Sequence, residues 1–221
     1  MIKAVVLDFY GTVVHESYAL LDAISDAFLA GGAVCPREKI PQMWWEEFRA
    51  ACDAAHGDAF RPQKQLYPVV LRKMASRCGA RIDADTLAAE VVRFSVSAPL
   101  FADAEQFVRA CPLPWYVLSN IDNAELSAVL SLHGLRPRGV FTSEDAREYK
   151  PRRGVFEKGL AAFGLRTDEA LYVGDSYRND YCGARSAGVQ AVWLDRLREG
   201  APEGTLAAPD LCAVLPLLKT H

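Results

Sequence analysis

The sequence lacks the features that would point to a membrane or nucleic-acid partner. No run of about 18 consecutive apolar residues is present, which argues against a membrane-spanning helix. The 25 lysines and arginines are balanced by 28 aspartates and glutamates, and a net charge of −3 provides no basic surface for nucleic acid. We therefore expect neither nucleic acid nor a membrane among the partners of this 221-residue chain.

Clustered metal-binding or disulfide-forming residues are also missing. The six cysteines include no Cys-x-x-Cys pair, and the four histidines are dispersed, so a structural zinc site is not expected. Scattered cysteines without a secretory pattern in the first residues predict reduced thiols and a cytoplasmic protein. A composition of 51% hydrophobic and 24% charged residues is ordinary for a globular fold, and no internal repeat is evident.

The chain contains two kinds of hydrophobic pattern. Residues 15–97 show helical spacing of apolar residues and no convincing strand. Short apolar runs typical of buried strands occur at 5–7, 115–118, 139–142, 171–174 and 190–194. Helical stretches separate most of these runs, as in a doubly wound α/β parallel sheet. We predict an α/β core, residues 1–14 and 98–221, with a helical domain, residues 15–97, inserted after the first strand.

Polar side chains follow three of the predicted strands. Asp8 follows the first apolar run, Ser119 the second, and Asp175 the run at 171–174. Because open α/β sheets build their sites at the carboxyl ends of the strands, we expect these side chains to lie close together. Taken singly, each is also what a turn or a helix cap requires.

The chemistry of these groups suits an anionic substrate and a divalent cation. Asp8 and Asp175 together would form an oxygen-rich pocket of the kind that holds Mg²⁺. The capping-box spacing of Asp122 and Glu125 predicts a helix that begins just after Ser119, where a hydroxyl and free N–H groups bind an anionic oxygen. The ammonium of Lys150 would neutralise charge on the carboxylates and on a transferred group.

This ordered set resembles the four motifs of the haloacid dehalogenase superfamily, and the resemblance covers the whole core. It implies a Rossmann-like core with a helical cap, in which Asp8 is the nucleophile and Ser119 binds the transferred anion. By the same resemblance, Lys150 balances charge, Asp175 is a metal ligand and Asp180 supports it from behind. The backbone carbonyl of Tyr10 would complete the Mg²⁺ site, whatever side chain it carries.

At Tyr10 the chain departs from the phosphatases of the family and resembles its dehalogenases. Phosphatases of the family carry a second aspartate two positions after the nucleophile, which protonates the leaving group and activates water, and a tyrosine with a pKa of about 10 is a poor substitute. Asp-x-Tyr-Gly-Thr is instead similar to the motif of 2-haloacid dehalogenases, which attack carbon and need no metal. Yet those enzymes usually carry Ser and Asn where this chain has Asp175 and Tyr177, and no arginine lies beside Trp45, although Arg49 follows one turn later.

Three functions stay open. The first is Mg²⁺-dependent hydrolysis of a phosphate ester through an aspartyl-phosphate on Asp8, favoured because an Asp8–Asp175 pair without a cation would repel. The second is a metal-independent 2-haloacid dehalogenase. The third is a catalytically silent binding or regulatory protein.

Four further residues are predicted to contact a small, anionic substrate: Thr12, His15, Trp45 and Asn120. His15 follows the first motif, where a cap must hinge, although a linker or helix-capping role fits it as well. In this architecture the cap sets specificity, so the identity of the substrate and the oligomeric state stay open.

Overall fold

A computed structural model describes residues 1–16 and 18–218 of the chain. The predicted domain ranges also include Ser17 and 219–221, which lie outside the described residues. The chain divides into two compact units. An α/β unit comprises Met1–His15, Pro99–Asn120 and His133–His221, and a helical unit comprises Glu16–Ala98 and Ile121–Leu132.

The strands are β1 (Ala4–Leu7), β2 (Trp115–Ser119), β3 (Val140–Thr142), β4 (Ala170–Gly174), β5 (Gln190–Leu194) and β6 (Ala207–Ala208). The α-helices are α1 (Tyr18–Ala30), α2 (Lys39–Ala54), α3 (Gln63–Cys78), α4 (Ala84–Val96), α5 (Ala102–Ala110), α6 (Asn123–Leu132), α7 (Ser143–Ala146), α8 (Arg153–Phe163) and α9 (Gly183–Ser186). Short 3₁₀ turns and a π-helix, Tyr177–Cys182, connect some of them.

The strands form one parallel sheet in the order β3-β2-β1-β4-β5-β6. β1 is apolar and buried along its whole length, as expected of a central strand covered by helices on both faces. In the ladder Leu7 lies opposite Val117 of β2 and Val173 of β4, so the carboxyl ends of these three strands are level. The doubly wound α/β fold predicted from the sequence is confirmed.

The core of the α/β unit holds this sheet edge in place. Phe156 and Leu160 of α8 belong to one buried cluster with Leu118 and Tyr172 of the sheet. Gly159 allows the close approach of α8, because a Cβ there would lie 2.3 Å from a methyl carbon of Leu118. The strands that carry the predicted site residues are therefore rigidly backed.

The helical unit contains no strand among its described residues, in agreement with the sequence pattern. Its helices stop and start at local signals. Gly79 ends α3 with φ of +68°, and the Asp83 carboxylate caps α4 by accepting N–H bonds from Asp85 and Thr86. Its interior is an aromatic and aliphatic core around Trp44, with the residues Ile24, Phe28, Ile40, Tyr67, Leu71 and Met74.

Residues 121–132 depart from the predicted domain ranges, which placed them in the core. Helix α6 packs against α4 of the helical unit. The buried Asp122 carboxylate also accepts N–H bonds from Gln63 (2.7 Å) and Lys64 (3.0 Å), the first residues of α3. α6 begins just after Ser119, as predicted, and the Asp122 carboxylate also binds the first residues of α3, 59 positions earlier in the sequence.

Over the described residues, no helix is both long enough and apolar enough to cross a membrane.

Candidate active site

Asp8 lies directly after β1, with its backbone N–H donated to Val173 of β4 (2.9 Å). Its side chain is buried and both of its hydrogen bonds go to one oxygen. Oδ1 accepts from the hydroxyl of Ser119 (2.8 Å) and from the ammonium of Lys150 (2.6 Å). No described residue donates a hydrogen bond to Oδ2, so the carboxylate is oriented by one oxygen and keeps the other for a ligand.

Lys150 is buried between acidic partners. Its Nζ donates to Asp8 Oδ1 and Asp180 Oδ1, each at 2.6 Å, and to the hydroxyl of Tyr172 at 2.8 Å. Burial alone would lower the pKa of this ammonium, but the charges of Asp180 and Asp8 outweigh burial and raise it above its ordinary value. The lysine is therefore a fixed positive charge at neutral pH.

Asn120 holds the backbone of Lys150 at two points. Its Nδ2 donates to the Lys150 carbonyl (3.1 Å), and its Oδ1 accepts from the Lys150 N–H (2.8 Å). The amide was predicted to contact substrate; in the structure it anchors the loop that carries the lysine. A substrate contact for Asn120 stays a prediction.

Asp175 follows β4 and lies against the turn that follows Asp8. Its Oδ1 accepts from the hydroxyl of Thr12, which in turn accepts from the Asp175 N–H, both at 3.1 Å. The turn passes so close that a Cβ on Gly11 would lie 2.3 Å from an Asp175 carboxylate oxygen, and Gly11 also has φ of +82°. Glycine is therefore required here, and the predicted substrate residue Thr12 is wholly buried against Asp175.

Asp180 supports the site from behind. Its Oδ1 accepts from Lys150 and from the Tyr172 hydroxyl (3.0 Å), and its Oδ2 accepts from the N–H of Ser176 (2.9 Å). Burial raises the pKa of this carboxyl to about 6, although Lys150 opposes the shift.

The acidic groups fit a divalent cation. Asp8, Asp175 and Asp180 each offer an oxygen within 4.8 Å of the others. Because both oxygens of Asp180 already accept hydrogen bonds, Asp8 and Asp175 are the two that would hold the ion. One lysine does not balance three carboxylates, and an all-oxygen donor set suits Mg²⁺ better than a transition metal.

The remaining predicted residues are Tyr10, His15 and Trp45. Tyr10 is half-buried, and its ring meets the ring of Phe9 edge-on at 5.6 Å. His15 stacks on Phe101 at 3.5 Å between ring centroids, and burial together with the charge of Arg196 lowers its pKa. Trp45 lies in α2 of the helical unit with 38% of its surface exposed. Substrate contacts for His15 and Trp45 stay predictions.

Sequence reasoning missed three residues that hold the site together. The Tyr172 hydroxyl is hydrogen-bonded to both Lys150 and Asp180. The Trp193 indole donates to the Asp175 carbonyl (2.8 Å), and Arg196 donates to the backbone of the turn after Asp8. Tyr172 and Trp193 lie inside apolar runs and look like ordinary core residues. Arg196 had a usable signal, because it follows β5 at the same edge of the sheet as the predicted site.

Known proteins resemble this chain at three levels. A family model described as haloacid dehalogenase-like hydrolase matches residues 2–188. A phosphoserine phosphatase from Thermus thermophilus is 51% identical over 63 residues, which are 28% of this chain and 24% of that protein. A phosphoglycolate phosphatase from Photorhabdus laumondii is 25% identical over 217 residues, which are 87% of this chain and 80% of that protein.

Among solved structures, an L-2-haloacid dehalogenase superposes with a TM-score of 0.83 at 21% identity, covering 99% of both chains. At that identity the likeness is one of fold. The relatives thus include enzymes named for phosphate substrates and enzymes named for haloacids.

Proposed function

Because the chain belongs to the haloacid dehalogenase-like hydrolase family, we propose that it is a Mg²⁺-dependent phosphatase that acts on a small phosphate ester through an aspartyl-phosphate on Asp8. The observation that carries this proposal is the pairing of Asp8 and Asp175 around a potential cation site, beside which one buried lysine, Lys150, is found among the described residues. Two carboxylates this close repel unless a cation lies between them, and carbon-attacking dehalogenase chemistry gives no reason to place them so.

The first step uses the carboxylate of Asp8 as the nucleophile. One of its oxygens attacks phosphorus and forms a P–O bond, and the ester P–O bond breaks, so that the leaving group departs as an oxyanion. Lys150 and Ser119 both donate hydrogen bonds to Oδ1 and so hold the orientation of the carboxylate for this attack. The Ser119 hydroxyl is also close enough to the nucleophile to contact the transferred phosphoryl group.

The second step returns the enzyme. Water attacks the phosphorus of the aspartyl-phosphate, the P–O bond to Asp8 breaks, and inorganic phosphate leaves with the protons of the water, which restores the Asp8 carboxylate. Mg²⁺, held by Asp8 and Asp175, would neutralise negative charge on the transferred group. Thr12 and Trp193 keep Asp175 in register for that role.

Tyr10 restricts the substrates. A carboxyl at this position would protonate the leaving group, and a phenol of ordinary pKa is poorly matched to that task near neutral pH. We therefore propose a preference for aryl or acyl phosphates, whose leaving groups need little protonation. A cytoplasmic location is proposed with this function, because all six cysteines are free thiols.

The test is hydrolysis of p-nitrophenyl phosphate in Mg²⁺ and in EDTA. We expect turnover in Mg²⁺ alone, lost by more than about 10³-fold in Asp8→Asn, because the nucleophile is removed. Asp168→Asn, an exposed aspartate of the same unit, is the matched control and should keep the rate of the unaltered protein. Equal rates for alkyl and aryl phosphates would refute the restriction assigned to Tyr10.

A second candidate function is favoured by Tyr10 itself. The side chain at this position is the one that 2-haloacid dehalogenases share, so Asp8 would attack carbon, expel halide and form an ester that water hydrolyses. Halide release from 2-chloropropionate that is unaffected by EDTA, without phosphate release from p-nitrophenyl phosphate, would establish this function in place of the first.

A further inference from the structure

Arg196 is an arginine outside the four motifs that binds the backbone next to the nucleophile. It follows β5, and its side chain is only 15% exposed. Its Nε donates to the carbonyl of Gly11 (2.9 Å) and its Nη2 to the carbonyl of Thr12 (2.6 Å). The guanidinium therefore binds two consecutive carbonyls of the turn that begins at Asp8.

The proposed metal ligand Asp175 contacts the same turn. Thr12 exchanges two hydrogen bonds with Asp175, and Gly11 passes so close that a Cβ on it would lie 2.3 Å from the same carboxylate. A shift of the Gly11 and Thr12 backbone would therefore move Asp175 relative to Asp8. Arg196 acts on the site through this backbone and touches none of the reacting groups.

The guanidinium is itself held by two further residues, Asp103 and Phe101. Asp103 of α5 accepts from Nη1 (3.2 Å) and Nη2 (3.0 Å) in a two-oxygen pair, and it also accepts from the N–H of Leu211 (2.8 Å). The ring of Phe101 lies under the guanidinium at 3.9 Å. A planar group with several fixed donors satisfies all of these partners at once, which a lysine ammonium cannot do.

We propose that Arg196 is a positioning residue that fixes the turn after Asp8 and thereby sets the spacing of Asp8 and Asp175. This inference rests on the proposed phosphatase function for its effect on rate. Its effect on the turn is independent of that function.

The test is Arg196→Lys, which keeps the charge and removes the fork of donors. We expect kcat for p-nitrophenyl phosphate in Mg²⁺ to fall by about 10–100-fold, as for other residues that support ligands from outside the site. KM should change little, because substrate contacts are intact. Arg109→Lys on α5 is the matched control, since Arg109 is exposed and pairs only with Glu105 one turn away, and its kcat should be unchanged.

Backbone hydrogen exchange gives a readout that does not depend on activity. The amides of Gly11, Val13 and Val14 are bonded within the turn, and they should exchange faster in Arg196→Lys than in the unaltered protein or in Arg109→Lys. If Arg196→Lys fails to fold, Asp103→Asn, which leaves the arginine but weakens its anchor, should show the same changes to a smaller extent.

The outcomes separate the two proposals. An unchanged kcat, or a raised KM at unchanged kcat, would overturn the positioning role. If the unaltered protein does not hydrolyse p-nitrophenyl phosphate at all, the proposed function fails. Backbone hydrogen exchange then tests the positioning role by itself. Faster exchange confined to the turn in Arg196→Lys would then support the positioning role, and equal exchange would overturn it.

Discussion

Buried acidic side chains have a buried cationic partner in the α/β unit and exposed cationic partners in the helical unit. In the α/β unit, Lys150 and its partners Asp8 and Asp180 are almost wholly withdrawn from solvent, with 2%, 8% and 2% of their side chains exposed. In the helical unit, Glu47 is similarly buried at 8%, but its partners Lys73 and Arg77 are 61% and 48% exposed.

The difference follows from what water can do for the cation. Lys73 and Arg77 remain hydrated, so their pairing with Glu47 contributes little and its loss leaves no bare charge. Lys150, Asp8 and Asp180 are shielded from water, so each of these charges is stabilised by the opposite charges beside it. A protein keeps a buried charge cluster of this kind at a cost in stability, which is typical of a functional site and not of a packing core.

The largest expected effect separates the two lysines. Lys150→Met leaves two buried carboxylates without their cation, and we expect a loss of about 3–5 kcal/mol in the free energy of unfolding. Lys73→Met is the matched change in the helical unit and should cost no more than about 1 kcal/mol. Both are measured by urea unfolding in EDTA at neutral pH. Equal losses in the free energy of unfolding would contradict the distinction between the buried Lys150 and the hydrated Lys73.

A cavity in the helical unit should cost stability without touching the chemistry. Leu71 is wholly buried in the aromatic core of that unit, and Leu71→Ala should lower the free energy of unfolding by about 2–5 kcal/mol. Leu29→Ala, at an exposed position on α1, is the control and should cost far less. We expect kcat per folded molecule to stay close to that of the unaltered protein. A loss of rate comparable to that of Asp8→Asn would show that the two units do not divide their tasks in this way.

The smallest effect is a difference in sign between two buried acids. The pKa of Asp180 rises from 3.8 to about 6 on folding, so between those values the folded state alone binds the proton and this residue stabilises more as the pH falls. Hydrogen bonding from Lys73 instead holds the pKa of Glu47 below its ordinary 4.5, so its contribution is lost as the pH falls below that value.

The measurement compares stability with pH for Asp180→Asn and Glu47→Gln in EDTA. As the pH drops from neutrality to 4, the unaltered protein should gain stability relative to Asp180→Asn. Below pH 4.5 it should lose stability relative to Glu47→Gln. Shifts of the same sign for the two variants would contradict the assignment.

Much of the sheet was predictable because its signals are local. The run at 190–194 forms β5 over those same residues, and each of the other four predicted runs differs from its strand by one residue at one end. The meeting of Asp8, Ser119 and Asp175 followed from one rule, that parallel strands present their carboxyl ends at a common edge.

The contacts that complete the site were not predictable, because their partners are distant and carry no periodic pattern. Thr12 and Asp175 are separated by 163 residues, and Arg196 reaches back 185 residues to Gly11. Asp122 has the spacing of a local cap, and nothing in that spacing predicts that its carboxylate also binds the start of α3. Only the assembled fold determines which of several possible donors an acidic side chain meets.

Capture of the intermediate on Asp8 is the most direct test of the account. Because Tyr10 offers no ordinary base for the second step, the aspartyl-phosphate should accumulate when the protein is mixed with p-nitrophenyl phosphate and Mg²⁺ and quenched in acid. Mass spectrometry should then find one added phosphoryl group on the peptide that contains Asp8, and none in Asp8→Asn. An unmodified peptide during active phosphate release, or a phosphoryl group on another residue, would contradict the assignment of Asp8 as nucleophile.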